Sequence, residues 1–140
     1  DGLKDFSGVL RRLEEKGTFK GITILDDFAH HPTAIKSTIQ AVEEKYSGKK
    51  ILNIIELGSN TMSGGFHREE LLSIDNLDSE ILWLDHKSTL KNNKENVYNS
   101  HDDLIKSASK NYSNFDIILI MTNKSSKNIF EPLRDIIEAN

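Results

Sequence analysis

Ile22-Thr23-Ile24-Leu25-Asp26-Asp27-Phe28-Ala29-His30-His31-Pro32-Thr33 decides the reading of this 140-residue chain. Its first four residues have the β-branched and apolar composition of a buried strand. Two carboxylates and two imidazoles follow, and then a proline suited to the first turn of a helix. The stretch predicts a strand, a short polar turn and a helix start. In an open α/β sheet, ligands bind outside the carboxyl ends of the strands, so the Asp and His pairs stand where a ligand would lie. The same residues have a plainer use, because Asp26 and Asp27 can satisfy turn amides and His31 can serve as the helix N-cap.

Working outward, Ile35, Ile39, Val42 and Tyr46 form one apolar stripe of a helix that Gly48 is expected to end. Lys50 to Leu57 reads as a strand buried on both faces, as in a parallel sheet. Gly58 to Gly65 is a polar loop at its carboxyl end, and His67 to Ile74 reads as a short helix. Glu80 to Asp85 is a strand, residues 86–96 a surface loop, and Asn96 to Asn99 a short strand. Ser100 and Asp103 resemble a capping box ahead of a helix carrying Leu104, Ile105, Ala108 and Tyr112. Phe115 to Met121 is the strongest strand, Thr122 to Ser126 its end loop, and Ile129, Leu133, Ile136 and Ile137 stripe a last helix. Residues 1–20 read two ways. Phe6, Val9, Leu10 and Leu13 have helical spacing weakened by Gly2, Gly8 and Gly17, while Arg11 to Gly17 also reads as an exposed strand turning at Gly17. Strands alternating with helices predict an α/β fold: a Rossmann-like, mostly parallel sheet flanked by helices, with loops 26–31, 58–65 and 122–126 gathered at one edge.

Composition narrows the chemistry. A formal net charge of −4 and a sequence pI near 5.7 give no reason to expect nucleic acid or an anionic membrane as partner. The absence of cysteine removes disulfides, Fe–S clusters and thiolate zinc sites. No apolar run is long enough to span a bilayer and no signal peptide is visible, so a soluble cytoplasmic protein is expected. The chain opens on Asp1 rather than Met and is expected to be a piece of a longer protein. It carries no P-loop, no dinucleotide fingerprint and no nucleophile elbow. Asp26, Asp27, His30 and His31 could ligate a divalent ion, but adjacent histidines turn apart, and no metal site is expected. A phospho-receiver domain is a rival reading, with Asp26-Asp27, Asp85 and Lys124 laid on its acidic pair, phosphoacceptor and lysine. A non-catalytic α/β binding module is another.

Asp26-Asp27-Phe28-Ala29-His30-His31-Pro32-Thr33-Ala34-Ile35 resembles the Mur ligase family. Phe6 to Glu14 resembles the family's Phe-x-Gly-Val-x-Arg-Arg lead into its C-terminal domain. Ser59-Asn60-Thr61-Met62 and Ile120-Met121-Thr122-Asn123 resemble two further segments of its peptide-adding members. The resemblance implies a three-domain ATP- and Mg²⁺-dependent ligase of which this chain is the closing third domain. Residues 1–20 would form the lead-in and first edge strand, and residues 21–140 the α/β domain. It implies amide formation between UDP-N-acetylmuramate and the recycled tripeptide L-Ala-γ-D-Glu-meso-diaminopimelate. The enzyme's own N-terminal and central domains would be partners, with no catalytic residue of this domain assigned and the isolated domain inactive. By the family pattern Asp27, His30 and His31 face the nucleotide, Asp27 binding the ribose hydroxyls. Ser59, Asn60, Thr61 and Met62 line the peptide pocket, and Asn123 and Lys124 hold a peptide carboxylate. Two positions depart from the pattern. Leu57-Gly58 stands where relatives have Pro-Arg, removing a bidentate fork that Arg68 is a candidate to replace, and Lys124-Ser125 stands where relatives have Gly-Gly.

Overall fold

The computed structural model describes residues 13–29, 31–57, 70, 73–74, 80–86 and 96–140. Six strands form one sheet: β1 (Glu14–Phe19), β2 (Ile22–Asp27), β3 (Ile51–Glu56), β4 (Glu80–Leu84), β5 (Val97–Tyr98) and β6 (Ile117–Met121). Their spatial order is β1-β2-β6-β3-β4-β5, with β1 antiparallel and every other pairing parallel. Helix α1 (Pro32–Lys45) follows β2, α2 (His101–Asn111) follows β5, and α3 (Lys127–Ala139) follows β6. The α/β class and the mostly parallel sheet are as expected.

The sheet is buried on both faces, which is why its central strands read as unbroken apolar runs. Successive side chains of a strand point to opposite faces, and β6 divides its residues accordingly. Ile117, Leu119 and Met121 join Leu25, Ile35, Ile39, Val42, Ile55 and Trp83 on the α1 side. Ile118 and Ile120 join Ile24, Ile54, Leu104, Leu133 and Ile137 on the side of α2 and α3. Ile74 belongs to the first of these cores, as expected for the crossover from β3 to β4. Leu71, Leu72 and Arg68 lie outside the described residues, as does the lead-in 1–12.

Residues 13–20 resolve in favour of the strand reading, with one correction. The chain does not turn at Gly17. Strand β1 runs through Gly17, where the register slips between Glu15 and Gly17, and the turn falls at Lys20-Gly21. Gly17 has φ +144°, and a Cβ there would meet Phe19 Cζ at 2.8 Å. Lys20 and Gly21 both have positive φ, 53° and 86°, the requirement of a type I′ hairpin turn. Thr18 and Thr23 face each other across the hairpin, their hydroxyls 2.9 Å apart.

Helix ends follow local chemistry. Ser100 Oγ accepts the Asp103 N–H at 3.2 Å and caps α2. Helix α1 ends at Lys45, earlier than expected, with Gly48 left-handed at φ +85° in the turn beyond. The strand expected from Phe115 begins at Ile117, because a 3₁₀ turn over Tyr112–Asn114 occupies the approach. No helix among the described residues is long and apolar enough to cross a membrane.

Ile118 is fully buried at the centre of the sheet, so Ile118→Ala leaves a cavity and is expected to cost about 2–5 kcal/mol. Urea unfolding of the 140-residue chain checks this. The exposed Lys36→Ala should change stability by less than about 0.5 kcal/mol.

Candidate functional site

The carboxyl ends of the parallel strands converge on one edge. Strand β2 ends at Asp27, β6 at Met121 and β3 at Glu56, and β6 lies between the other two. The chain leaves β2 towards α1 on one face and leaves β6 towards α3 on the other. Diverging connections of this kind open the crevice in which α/β sheets hold ligands.

Asp27 is built into this edge. It is only 4% exposed, and its carboxylate accepts three hydrogen bonds. Leu13 N–H donates to Oδ1 at 2.8 Å, Ala29 N–H to Oδ2 at 2.9 Å, and the Thr38 hydroxyl to Oδ2 at 3.3 Å. One side chain therefore fastens the entry of β1, the turn after β2 and the second turn of α1. A carboxylate has about four acceptor positions, and the described residues fill three of them. Its backbone carbonyl accepts Thr122 N–H at 3.2 Å and joins the ends of β2 and β6. The turn-satisfying use of this residue is thus present in the geometry. It also means that an Asp27 substitution acts on stability as well as on any ligand. Asp26, beside it, is fully buried.

His31 occupies the N-cap position of α1 with an extended backbone (φ −103°, ψ 145°), but its side chain does not cap the helix. It is exposed at the same edge. His30 lies outside the described residues.

Loop 122–126 is braced from below. The Thr122 hydroxyl donates to Glu56 Oε1 at 2.8 Å and accepts Lys124 N–H at 3.0 Å. Ser125 Oγ accepts Lys127 N–H at 3.2 Å at the start of α3. Lys124 is exposed and Asn123 half-buried. Among the described residues, Asn123 Oδ1 is a buried acceptor with no hydrogen-bond partner. Ser59, Asn60, Thr61 and Met62 lie outside the described residues. The chain leaves β3 for them through Leu57, whose N–H is held by Leu84 O at 2.9 Å.

The sequence did not single out a third group on this edge. Glu56, 2% exposed, meets the Nε2 atoms of His86 and His101 at 2.9 and 3.8 Å. Its signal was positional: one residue ends β3, one lies just beyond β4, and one opens α2. Asp85, the phosphoacceptor of the receiver reading, is fully buried, and its carbonyl accepts from Asn99 Nδ2 at 3.0 Å.

A groove of about 320 Å³ at the carboxyl edge is lined by Lys16, Asp26, Ser125, Ser126, Lys127 and Phe130, among others. A larger cleft of about 650 Å³ opens near the amino ends of β3 and β4, lined in part by Lys49, Lys50, Glu80 and Asn111. Among the described residues, none of the expected site residues lines that cleft. The converging strand ends, not its size, locate the candidate site.

Residues 11–123 match the family model described as Mur ligase, glutamate ligase domain. The UDP-N-acetylmuramate–L-alanyl-γ-D-glutamyl-meso-2,6-diaminoheptandioate ligase of Haemophilus influenzae is 46% identical over 70 residues, covering 49% of this chain and 16% of that protein. The UDP-N-acetylmuramate–L-alanine ligase of Salinibacter ruber is 38% identical over 82 residues, 59% of this chain and 17% of that protein. A crystal structure of a murein peptide ligase from Psychrobacter arcticus superimposes with a TM-score of 0.77 at 32% identity, covering 93% of this chain and 30% of the other. The chain thus spans less than a third of the length of each of these three relatives.

Three hydrogen bonds converge on a nearly buried Asp27 carboxylate. Bonds to a charged group each contribute about 1.5–3 kcal/mol, and unpaired buried donors are costly. Asp27→Ala is expected to lower the chain's unfolding free energy by about 2–4 kcal/mol, and Asp27→Asn by less. Urea denaturation of both variants measures the difference.

Proposed function

This chain belongs to the Mur ligase family as its C-terminal domain, and on that premise we propose that it is the closing domain of an ATP-dependent peptide ligase. That enzyme joins UDP-N-acetylmuramate to L-Ala-γ-D-Glu-meso-diaminopimelate in peptidoglycan recycling in the cytoplasm. One observation carries the reading. The Asp26-to-Pro32 motif and the Ser59-to-Met62 tract follow β2 and β3, strands whose carboxyl ends flank β6 at one edge. The higher local identity to the Haemophilus influenzae relative supports the tripeptide over free L-alanine.

The residues divide between two ligands. His30, His31 and the Asp27 carboxylate face the nucleotide, where a ribose hydroxyl can donate to the carboxylate and an imidazole can donate to phosphate oxygens. Asp27 also holds the turn that carries both histidines. Ser59, Asn60, Thr61 and Met62 line the peptide pocket. Asn123 offers a buried acceptor to a peptide N–H, and the Lys124 ammonium pairs with a peptide carboxylate in place of the guanidinium that Gly58 lacks. ATP, when bound, supplies the activation of the muramate carboxylate. Mg²⁺ favours several oxygen ligands. Asp27 already accepts protein donors through both oxygens, and we assign that ion to the central domain. What this domain contributes is position and exclusion of water on closure. A receiver function is disfavoured because the buried Asp85 is out of reach of a phosphodonor.

Kinetics of the full-length ligase test this reading. The tripeptide is expected to exceed L-alanine in kcat/KM by at least a hundredfold, and the reverse preference overturns the substrate assignment. His31→Ala should raise the KM for ATP and leave that for peptide nearly constant, while Lys124→Ala should do the opposite. The isolated 140-residue chain should turn over no ATP.

A further inference from the structure

We propose that Glu56, His86 and His101 form a binding site for one divalent transition-metal ion of the zinc type. The inference is independent of the substrate assignment above. Among the described residues, one carboxylate oxygen and one imidazole nitrogen from each histidine lie within 4.8 Å of one another. They come from three separate elements: the last residue of β3, the segment after β4 and the first residue of α2.

Convergence is the first argument. Both imidazoles present Nε2 to the same oxygen, Glu56 Oε2, at 2.9 and 3.8 Å. A carboxylate that needed one hydrogen-bond donor is satisfied by His86 alone, since 3.8 Å is beyond hydrogen-bond range. The second ring gains little there as a donor. As co-ligands the two make sense together. Donors about 2.0–2.1 Å from a tetrahedral ion stand roughly 3.3 Å from one another, and the two observed separations bracket that spacing. The rings are 5.2 Å apart and tilted by 47°, so neither stacks flat on the other to block the approach.

Preorganisation is the second. Glu56 is 2% exposed, and its other oxygen, Oε1, is fixed by the Thr122 hydroxyl, whose own acceptor position is filled by Lys124 N–H. Partners of this kind behind a ligating carboxylate orient it and tune its affinity. The side chains of His86 and His101 are each 32% exposed, which leaves an entry path and room for water to complete the coordination. Asp102 and Asp103 sit in the first turn of α2 and offset the positive end of that helix beside a cation. Two nitrogens and one oxygen favour zinc, cobalt, nickel or ferrous iron over Mg²⁺ or Ca²⁺.

An ion here would bridge β3, β4 and α2, and through Thr122 it would stiffen the loop that carries Asn123 and Lys124. The test uses the 140-residue chain, stripped with a chelator and dialysed. Titration with zinc chloride by calorimetry is expected to give one ion per chain at micromolar affinity or tighter, with a rise in thermal midpoint. Cobalt chloride should develop visible d–d absorption that zinc bleaches and magnesium chloride does not. His86→Ala and His101→Ala should each weaken zinc binding at least tenfold, and the double variant should abolish it. Far-UV circular dichroism confirms that these partly exposed positions leave the fold intact. Absence of saturable binding to the wild-type chain overturns the proposal. Binding that survives unchanged in the folded double variant overturns it equally.

Discussion

Strand β6 is the constraint on which the molecule depends. All five of its residues are buried, and its backbone ladders run to β2 on one side and β3 on the other. Ile118 pairs with Ile24 and Leu52, and Ile120 with Asp26 and Ile54. Chain-distant segments are thereby brought into one register. Register in a sheet buried on both faces is strongly specified, since a one-residue slip would exchange the two cores. Fixing it also fixes which residues emerge together at the carboxyl edge: Asp27, Glu56 and Thr122.

The edge itself is held by charge that has been taken out of water and given partners. Asp27 and Glu56 are both almost wholly buried, and each carboxylate is engaged through both oxygens. Burial without such donors would be prohibitive. The partners of Asp27 are mostly backbone amides, so it orders chain path. Those of Glu56 are side chains, so it orders other functional groups. Two acids, each the last residue of a strand that flanks β6, thus have different duties.

Most of the fold was legible because apolar pattern and layer are directly linked. The stripe of Ile35, Ile39, Val42 and Tyr46 and the runs Lys50–Leu57 and Phe115–Met121 each predicted a buried face; Ile35, Ile39, Val42, residues 52–57 and residues 117–121 are buried, and Tyr46 is half-buried. The β1 segment was ambiguous because a half-exposed edge strand with a bulge at Gly17 has neither clean alternation nor clean helical spacing. Its turn was misplaced because Lys20, a non-glycine residue at positive φ, carries no turn signal of its own. At the candidate site, Asp27 was singled out from its place at a strand end, but its donors among the described residues come from positions 13, 29 and 38, a set no local window shows. The Glu56 cluster was missed for the same reason. Its histidines are 30 and 45 positions away in sequence and meet only through the parallel pairing of β3 with β4 and the packing of α2.

The bond from Leu13 N–H to Asp27 has a mechanical consequence. Tension on the chain ahead of Leu13 is delivered to the carboxylate at the cleft before it reaches the Lys20-Gly21 hairpin. Because the same carboxylate grips Ala29 N–H and Thr38, a tug there is passed to the segment bearing His31. A displacement of the chain ahead of Leu13 and the posture of the turn after β2 are therefore levered about a single fulcrum.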